Sequence, residues 1–204
     1  MTTSYEELLG RQLQWALREG SMHFEEKSAV HLTLRKITER LRELKIPYAV
    51  AGGMALFFHG FRRFTEDVDI LVTREGLEEV HRHLEGLGYV PVFSGSRNLR
   101  DAESGVRIEF LVAGDFPGDG KPKPVSFPDP LQSSVEKDDV RWLSLKPLIE
   151  LKIASGMTSP GRLKDLADVQ ELIRILDLSA DFGAQLQPFV QEKYGELWSG
   201  VQNR

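Results

Sequence analysis

Apolar residues recur at helical spacing from Val30 onward: Val30, Leu34, Ile37, Leu41 and Leu44 fall on one face, with arginine and glutamate filling the other. Pro47 closes that helix, and "YAVAG" after it reads as a short buried strand. "GMALFFHG" reads as a short apolar helix opening at the glycines, and "DVDILV" as the next strand. Thr73 is placed to cap a helix carrying Leu77, Val80, Leu84 and Leu87, with Gly88 positioned to stop it. "YVPVF" and "VRIEFLVAG" read as strands joined by a polar loop around "SGSRNLRDAESG". "GDFPGDGKPKPVSFPDP" follows, a Gly/Pro-rich loop long enough to suggest a role beyond connection. "VRWLSL" is the last strand expected, and the rest is helical: "KPLIELKIASGM", "GRLKDLADVQELIRIL" and a tail through "FVQEKYGELW".

Strands alternating with helices up to about Leu145, then helices alone, predict an α/β or α+β sheet domain followed by a helical C-terminal part. The expected divisions are an N-terminal helical segment over 1–28, an α/β core over 29–145 and the helical part over 146–204. The first segment is charged, with an untidy stripe of Leu8, Leu9, Leu13, Trp15 and Leu17.

Composition narrows the function classes. The 204 residues are 41% hydrophobic and 28% charged, the balance of a globular chain with a real core. Cysteine is absent, so disulfides, thiolate zinc sites and cysteine nucleophiles are excluded. No stretch approaches the roughly 20 apolar residues of a membrane span, and the charged N-terminus lacks the apolar run of a signal peptide. The expected location is the cytoplasm. A net charge of −5 argues against a general nucleic-acid coater.

The candidate chemistry lies in three acids that interrupt apolar strands. Residues two apart on a strand share a face, so Asp67 and Asp69 project together while Val68 and Ile70 face the other way. Two carboxylates so close repel, more strongly when partly buried, and a divalent cation such as Mg²⁺ or Mn²⁺ removes the conflict. An isolated Asp-x-Asp reads more simply as a solvated strand end. Gly52-Gly53, between a strand and a helix, adds a turn whose bare backbone lets an anion approach, although a tight turn alone also requires glycine. Glu109 adds a third acid alternating with Ile108 and Phe110. If its strand neighbours "DVDILV", three carboxylates converge beside a phosphate-binding turn, a set suited to metal-assisted phosphoryl or nucleotidyl transfer.

A glycine pair, a gap of thirteen residues, Asp-hydrophobic-Asp and a later hydrophobic-acid-hydrophobic strand resemble the signature of the polymerase-β-like nucleotidyltransferase superfamily. The lead-in "RRFTEDVDILV" looks like the bacterial branch of AbiEii-type toxins and minimal nucleotidyltransferases. "LIELKIASGMTSPGRLKDLADVQEL" is similar to that branch's lysine followed by a Lys-Asp-x-x-Asp helix, here Lys152, Arg162, Lys164, Asp165 and Asp168. The resemblance implies an α+β nucleotidyltransferase fold, a small mixed sheet flanked by helices with a helical C-terminal part closing over the nucleotide, with an NTP as substrate and Mg²⁺ or Mn²⁺ as cofactor. It implies metal ligation by Asp67 and Asp69, with Glu109 completing the metal site or deprotonating the acceptor hydroxyl, a phosphate cradle at Gly52 and Gly53, and Lys152 neutralising triphosphate charge. Arg63, Asp165 and Asp168 are further nucleotide-site candidates. Relatives commonly carry aspartate where this chain has Glu109.

Each of these residues has a plainer reading. Leu163, Leu166, Ile173 and Leu176 predict the buried stripe of the Lys-Asp-x-x-Asp helix, and Asp165 and Asp168 on a neighbouring face suit an interhelical ion pair with Lys152. A lysine amid apolar neighbours needs some anionic partner, phosphate or carboxylate. His81 and His83 diverge on their helix, and His59 reads as a surface or packing residue. Arg62, Arg63, Lys121 and Lys123 are solvated cations or phosphate contacts.

The leading expectation is a Mg²⁺-dependent nucleotidyltransferase acting on a tRNA or protein hydroxyl in a toxin–antitoxin setting, with a cognate antitoxin as partner. The alternatives are a non-catalytic nucleotide-binding module of the same fold and a small-molecule, aminoglycoside-type nucleotidyltransferase, whose acceptor the negative net charge suits at least as well as it suits RNA.

Overall fold

The computed structural model describes residues 4–203, so the first three residues of the expected N-terminal segment and the final residue of the C-terminal part lie outside it. The described elements run α1 (Tyr5–Arg11), α2 (Leu13–Phe24), α3 (Ala29–Glu43), β1 (Tyr48–Val50), α4 (Gly52–Phe58), β2 (Asp67–Val72) and α5 (Arg74–Leu84). Then follow β3 (Tyr89–Pro91), β4 (Leu99–Asp101), β5 (Arg107–Val112), β6 (Ser134–Lys137) and β7 (Val140–Leu143). The chain closes with α6 (Leu145–Thr158), α7 (Leu163–Ile175) and α8 (Pro188–Gln202).

The seven strands form one mixed sheet in the order β3-β4-β5-β2-β1-β7-β6, the predicted fold class. β2 lies parallel to β5 and antiparallel to β1. The β2–β5 register pairs Val68 with Ile108 and Ile70 with Phe110, and all four side chains are fully buried. With Val30, Leu34, Ile37 and Leu41 of α3 and Val80 and Leu84 of α5 they make the first core, on one face of the sheet. Strand alternation sends Asp67, Asp69 and Leu71, with Arg107, Glu109 and Leu111, to the other face. There Ala49, Leu71 and Leu143 pack against α4 and the C-terminal helices in a second core.

The termini of these helices have local causes. Ser28 caps α3, its hydroxyl accepting from the His31 amide. α3 stops at Glu43, where Lys45 turns into the left-handed region (φ 55°) and the Ile46 amide donates back to the Leu41 carbonyl. Thr73 caps α5 as expected, its hydroxyl accepting from the Gly76 amide. That helix ends at Leu84, earlier than expected, and Leu87 lies exposed in the following turn. The N-terminal helices join the first core through Tyr5, fully buried, whose hydroxyl donates to Glu19 at 3.0 Å.

Two strands were not expected. β4 lies inside the segment read as a polar loop, and β6 forms a hairpin with β7 across Asp138 and Asp139, both at positive φ. Among the described residues no helix is long and apolar enough to cross a membrane.

Candidate active site

The parallel pairing of β2 and β5 sets Asp69 opposite Glu109 and Asp67 opposite Arg107, all on the sheet face that α3 does not cover. Arg107 lies between the acids, 2.9 Å from Glu109 Oε1 and 3.4 Å from Asp67 Oδ2. Thr65 donates to the other Asp67 oxygen at 2.9 Å. Among the described residues no cation contacts Asp69 in this way. Burial raises its pKa first, and repulsion from Asp67 and Glu109 adds to that, bringing it up to about 7.

The glycine pair fits round these side chains. Gly52 has φ +54°, and a Cβ there would sit 1.7 Å from Asp69 Oδ2; a Cβ at Gly53 would meet Thr65 Oγ1 at 2.6 Å. Packing of Asp69 and Thr65 thus requires both glycines before any phosphate is considered, and Gly53 faces Thr65 rather than the cavity. Gly52→Ala is expected to destabilise the fold by about 2 kcal/mol or more, because the carboxylate must move and the backbone is in the left-handed region. Thermal melts check this against Gly10→Ala, a helical position with open space around it.

A cavity of about 250 Å³ opens over Asp69 and Glu109; Asp67 does not line it. Gly52, Asp69, Glu109, Lys152 and Asp165 line it, as do Arg97, Arg162 and Ser155. Its remaining wall is apolar, with Leu111, Leu143, Leu148 and Leu151 from the core and Phe116, Pro117 and Phe127 from the Gly/Pro-rich loop. That loop has no regular structure but is tied down. Gly114 donates to the Phe127 carbonyl and Phe127 to the Asp115 carbonyl, both at 2.8 Å. Gly118 packs so closely on α6 that a Cβ there would meet Thr158 Oγ1 at 2.3 Å. The aromatic wall and Arg97 were not singled out from the sequence. Two phenylalanines inside a Gly/Pro-rich run were the available signal.

Behind the cavity lies a buried ion cluster. Lys152 Nζ donates to Asp165 at 2.9 Å and to Asp168 at 2.7 Å, with all three residues at most 7% exposed. Arg63 grips Asp168 with two bonds of 2.9 and 3.1 Å, and Arg162 and Ser155 each reach Asp165 Oδ2 at 2.8 Å. Burial would raise the pKa of Asp165, but Lys152 and Arg162 outweigh it and the net shift is downward. The interhelical ion pair is therefore present. Arg63 and Asp168, expected at the nucleotide, do not line the cavity; each satisfies the other. The stripe expected on α7 is also corrected: Leu163 and Leu176 are exposed, and the buried face carries Asp165, Asp168, Val169, Leu172 and Ile173. Lys123 is held inside its own loop by the Pro117 carbonyl and Asp119, and Arg62 lies over the Phe57 ring.

A divalent cation suits this site by donor chemistry. Asp67 and Asp69 offer hard oxygen ligands from one strand, and the like charges that add to burial in raising the Asp69 pKa are what such an ion relieves. As placed, no three His, Asp or Glu side chains among the described residues stand close enough to hold a metal, and Arg107 occupies the space between two of the acids.

The family model described as aminoglycoside-2″-adenylyltransferase matches residues 33–142, a span that includes Gly52, Asp67, Asp69 and Glu109. No curated protein matches the chain. Among solved structures, the chain is similar to the solution structure of antibiotic-resistance factor ANT(2″)-Ia, at 17% identity over 83% of this chain and 95% of that one, with a TM-score of 0.54. It is similar also to the crystal structure of ANT(2″)-Ia in complex with adenylyl-2″-tobramycin, at 16% identity over 85% and 97% of the two chains, TM-score 0.51. A nucleotidyltransferase-like antigenic protein from Paracoccidioides brasiliensis aligns at 18% identity over 70% of this chain and 74% of its own, TM-score 0.46. At such identities the likeness of these structures is one of fold.

Proposed function

The chain belongs to the aminoglycoside-2″-adenylyltransferase family, and on that premise we propose that it transfers a nucleotidyl group from an NTP to a hydroxyl of an aminoglycoside-like acceptor. The observation that carries the reading is the register pairing of Asp69 with Glu109 at the mouth of the cavity, beside Gly52. Nucleotidyltransferase chemistry is supported by family and by fold together.

In the proposed step, the acceptor oxygen bonds to the α-phosphorus and the bond from that phosphorus to the pyrophosphate oxygen breaks. Glu109 takes the hydroxyl proton and returns it to solvent. A divalent cation would be held by Asp67 and Asp69, the two acids on one strand, and would supply charge neutralisation and activation of the reacting oxygen. Arg97 and Arg162 reach the cavity with about half of each side chain exposed; each is paired with one aspartate, Asp115 and Asp165, and has further N–H donors to offer the triphosphate. Lys152 lines the same cavity with its charge already matched by two carboxylates, so its part is to hold α6 and α7 together beneath the phosphates.

The toxin–antitoxin reading, with tRNA or protein as acceptor and an antitoxin as partner, rests on the resemblance of the lead-in and the C-terminal motif. The family match and the negative net charge favour the small cationic acceptor instead. Purified protein with Mg²⁺ and each NTP is to be assayed for pyrophosphate release against an aminoglycoside panel and a tRNA pool. Release that requires an aminoglycoside is the expected result. Label entering tRNA alone would return the reading to RNA, and NTP binding without pyrophosphate release on any acceptor would leave a binding module.

A further inference from the structure

The cavity has two chemically different kinds of lining, and an NTP has two kinds of part. The polar lining is Asp69, Glu109, Lys152, Asp165, Ser155, Arg97 and Arg162 with the backbone at Gly52; the apolar lining is the core leucines with Phe116, Pro117 and Phe127 of the loop. Phosphates belong with the first. The second needs a flat, weakly polar group, and an aminoglycoside, all hydroxyls and ammoniums, loses hydration there with nothing to replace it. A nucleobase does not, because each base has a π-face that stacks on an aromatic ring whatever its edge.

We propose that Phe116 and Phe127 form the nucleobase platform of this protein, so that the Gly/Pro-rich loop carrying them is a nucleotide-binding element; this rests on the nucleotidyl-transfer reading. The two rings come from one loop that is fixed before any ligand arrives. The paired backbone bonds between Gly114, Asp115 and Phe127 close its base. The Lys123 ammonium lies 5.8 Å over the Phe116 ring and is anchored by the Pro117 carbonyl, which holds that ring from the loop side. Both phenylalanines are half-buried and line the cavity, and Phe127 packs against the second core as well. A platform already in place binds without the ordering cost that a mobile loop adds.

The test compares ATP with inorganic tripolyphosphate, which has the same phosphates and no base. Dissociation constants are measured by calorimetry with Mg²⁺ for the wild type, Phe116→Ala and Phe127→Leu, the last keeping bulk in case alanine unfolds the loop. Wild type is expected to bind ATP about tenfold or more tighter than tripolyphosphate. Each variant should lose most of that margin while binding tripolyphosphate as the wild type does. A margin unchanged in both variants, or a loss confined to acceptor KM, overturns the platform and leaves the transfer reading standing. Failure of wild type to bind either ligand would instead remove the transfer reading on which the platform rests.

Discussion

Asp69→Asn is expected to lower nucleotidyl transfer by about a thousandfold or more while raising the melting temperature of the metal-free protein. The two effects have one cause. Asp69 sits half-buried against Gly52 with Asp67 and Glu109 beside it, and its pKa stands near 7 because the folded environment disfavours its charge. An amide of the same shape removes the repulsion and keeps the packing, but no longer supplies an anionic ligand or balances charge in the transition state. The sign with pH follows from linkage. Between pH 4 and 7 the folded protein holds a proton at Asp69 that the unfolded chain has released, so stability falls as pH rises through that window and stays low above it. The gain from Asp69→Asn should therefore be near zero at pH 4 and largest above pH 7. A tenfold change in proton affinity is worth about 1.4 kcal/mol, which puts the gain on the order of 2 kcal/mol once partial solvent access is discounted. Thermal melts in chelator at pH 4, 6 and 8 measure it. Millimolar Mn²⁺ should stabilise the wild type at pH 8 and leave the variant unmoved. A variant less stable than wild type at pH 8 would remove this account of Asp69.

The same acids mark how far the sequence could be read. The alternation in "DVDILV" and "RIEF" is a strand signal whose polar phase must face something other than a core, and the register of β2 on β5 brings those phases together as expected. Asp67 and Asp69 were legible because strand geometry depends on nearest neighbours alone. On α7 the same logic fails. Its apolar residues suggest a stripe through Leu163 and Leu176, but those two are exposed and Asp165 and Asp168 turn inward, because α6 places a buried cation opposite them. A charge pattern across two helices outweighs the hydrophobic pattern of one, and single-helix periodicity does not contain it. β4 and β6 escaped for a different reason. β4 has three residues and is held partly by the Asn98 side chain, which accepts from the Phe110 amide. β6 is an edge strand whose last three residues are exposed, so it lacks the alternation that marks a half-buried strand. Phe116 and Phe127 stand in a loop without periodicity, and only the fold brings them to one wall.

Lys152→Met is expected to cost about 3–5 kcal/mol of stability at pH 7, enough to leave a marginal domain largely unfolded at physiological temperature. Methionine fills the volume of the lysine stem, so the loss is electrostatic: two carboxylates, each almost fully buried, lose the ammonium that bonds both at 2.7–2.9 Å. Arg63 and Arg162 remain, but each serves one carboxylate from the more exposed side. The pH dependence has the opposite sign to that of Asp69. Asp165 titrates below the ordinary range in the native protein, so the stability it contributes is present above about pH 4 and is lost as pH falls through its lowered native pKa. In the variant Asp165 protonates more readily, and the gap between the two proteins should narrow as pH falls from 7 to 4. Adding Asp168→Asn to Lys152→Met removes one uncompensated charge and should recover part of the loss at pH 7, whereas Asp168→Asn alone should destabilise. Urea denaturation of the three variants at pH 5 and 7 supplies the cycle. If Lys152→Met melts within about 1 kcal/mol of wild type, the cluster is not the tie between α6 and α7, and Lys152 becomes free to be assigned to the triphosphate.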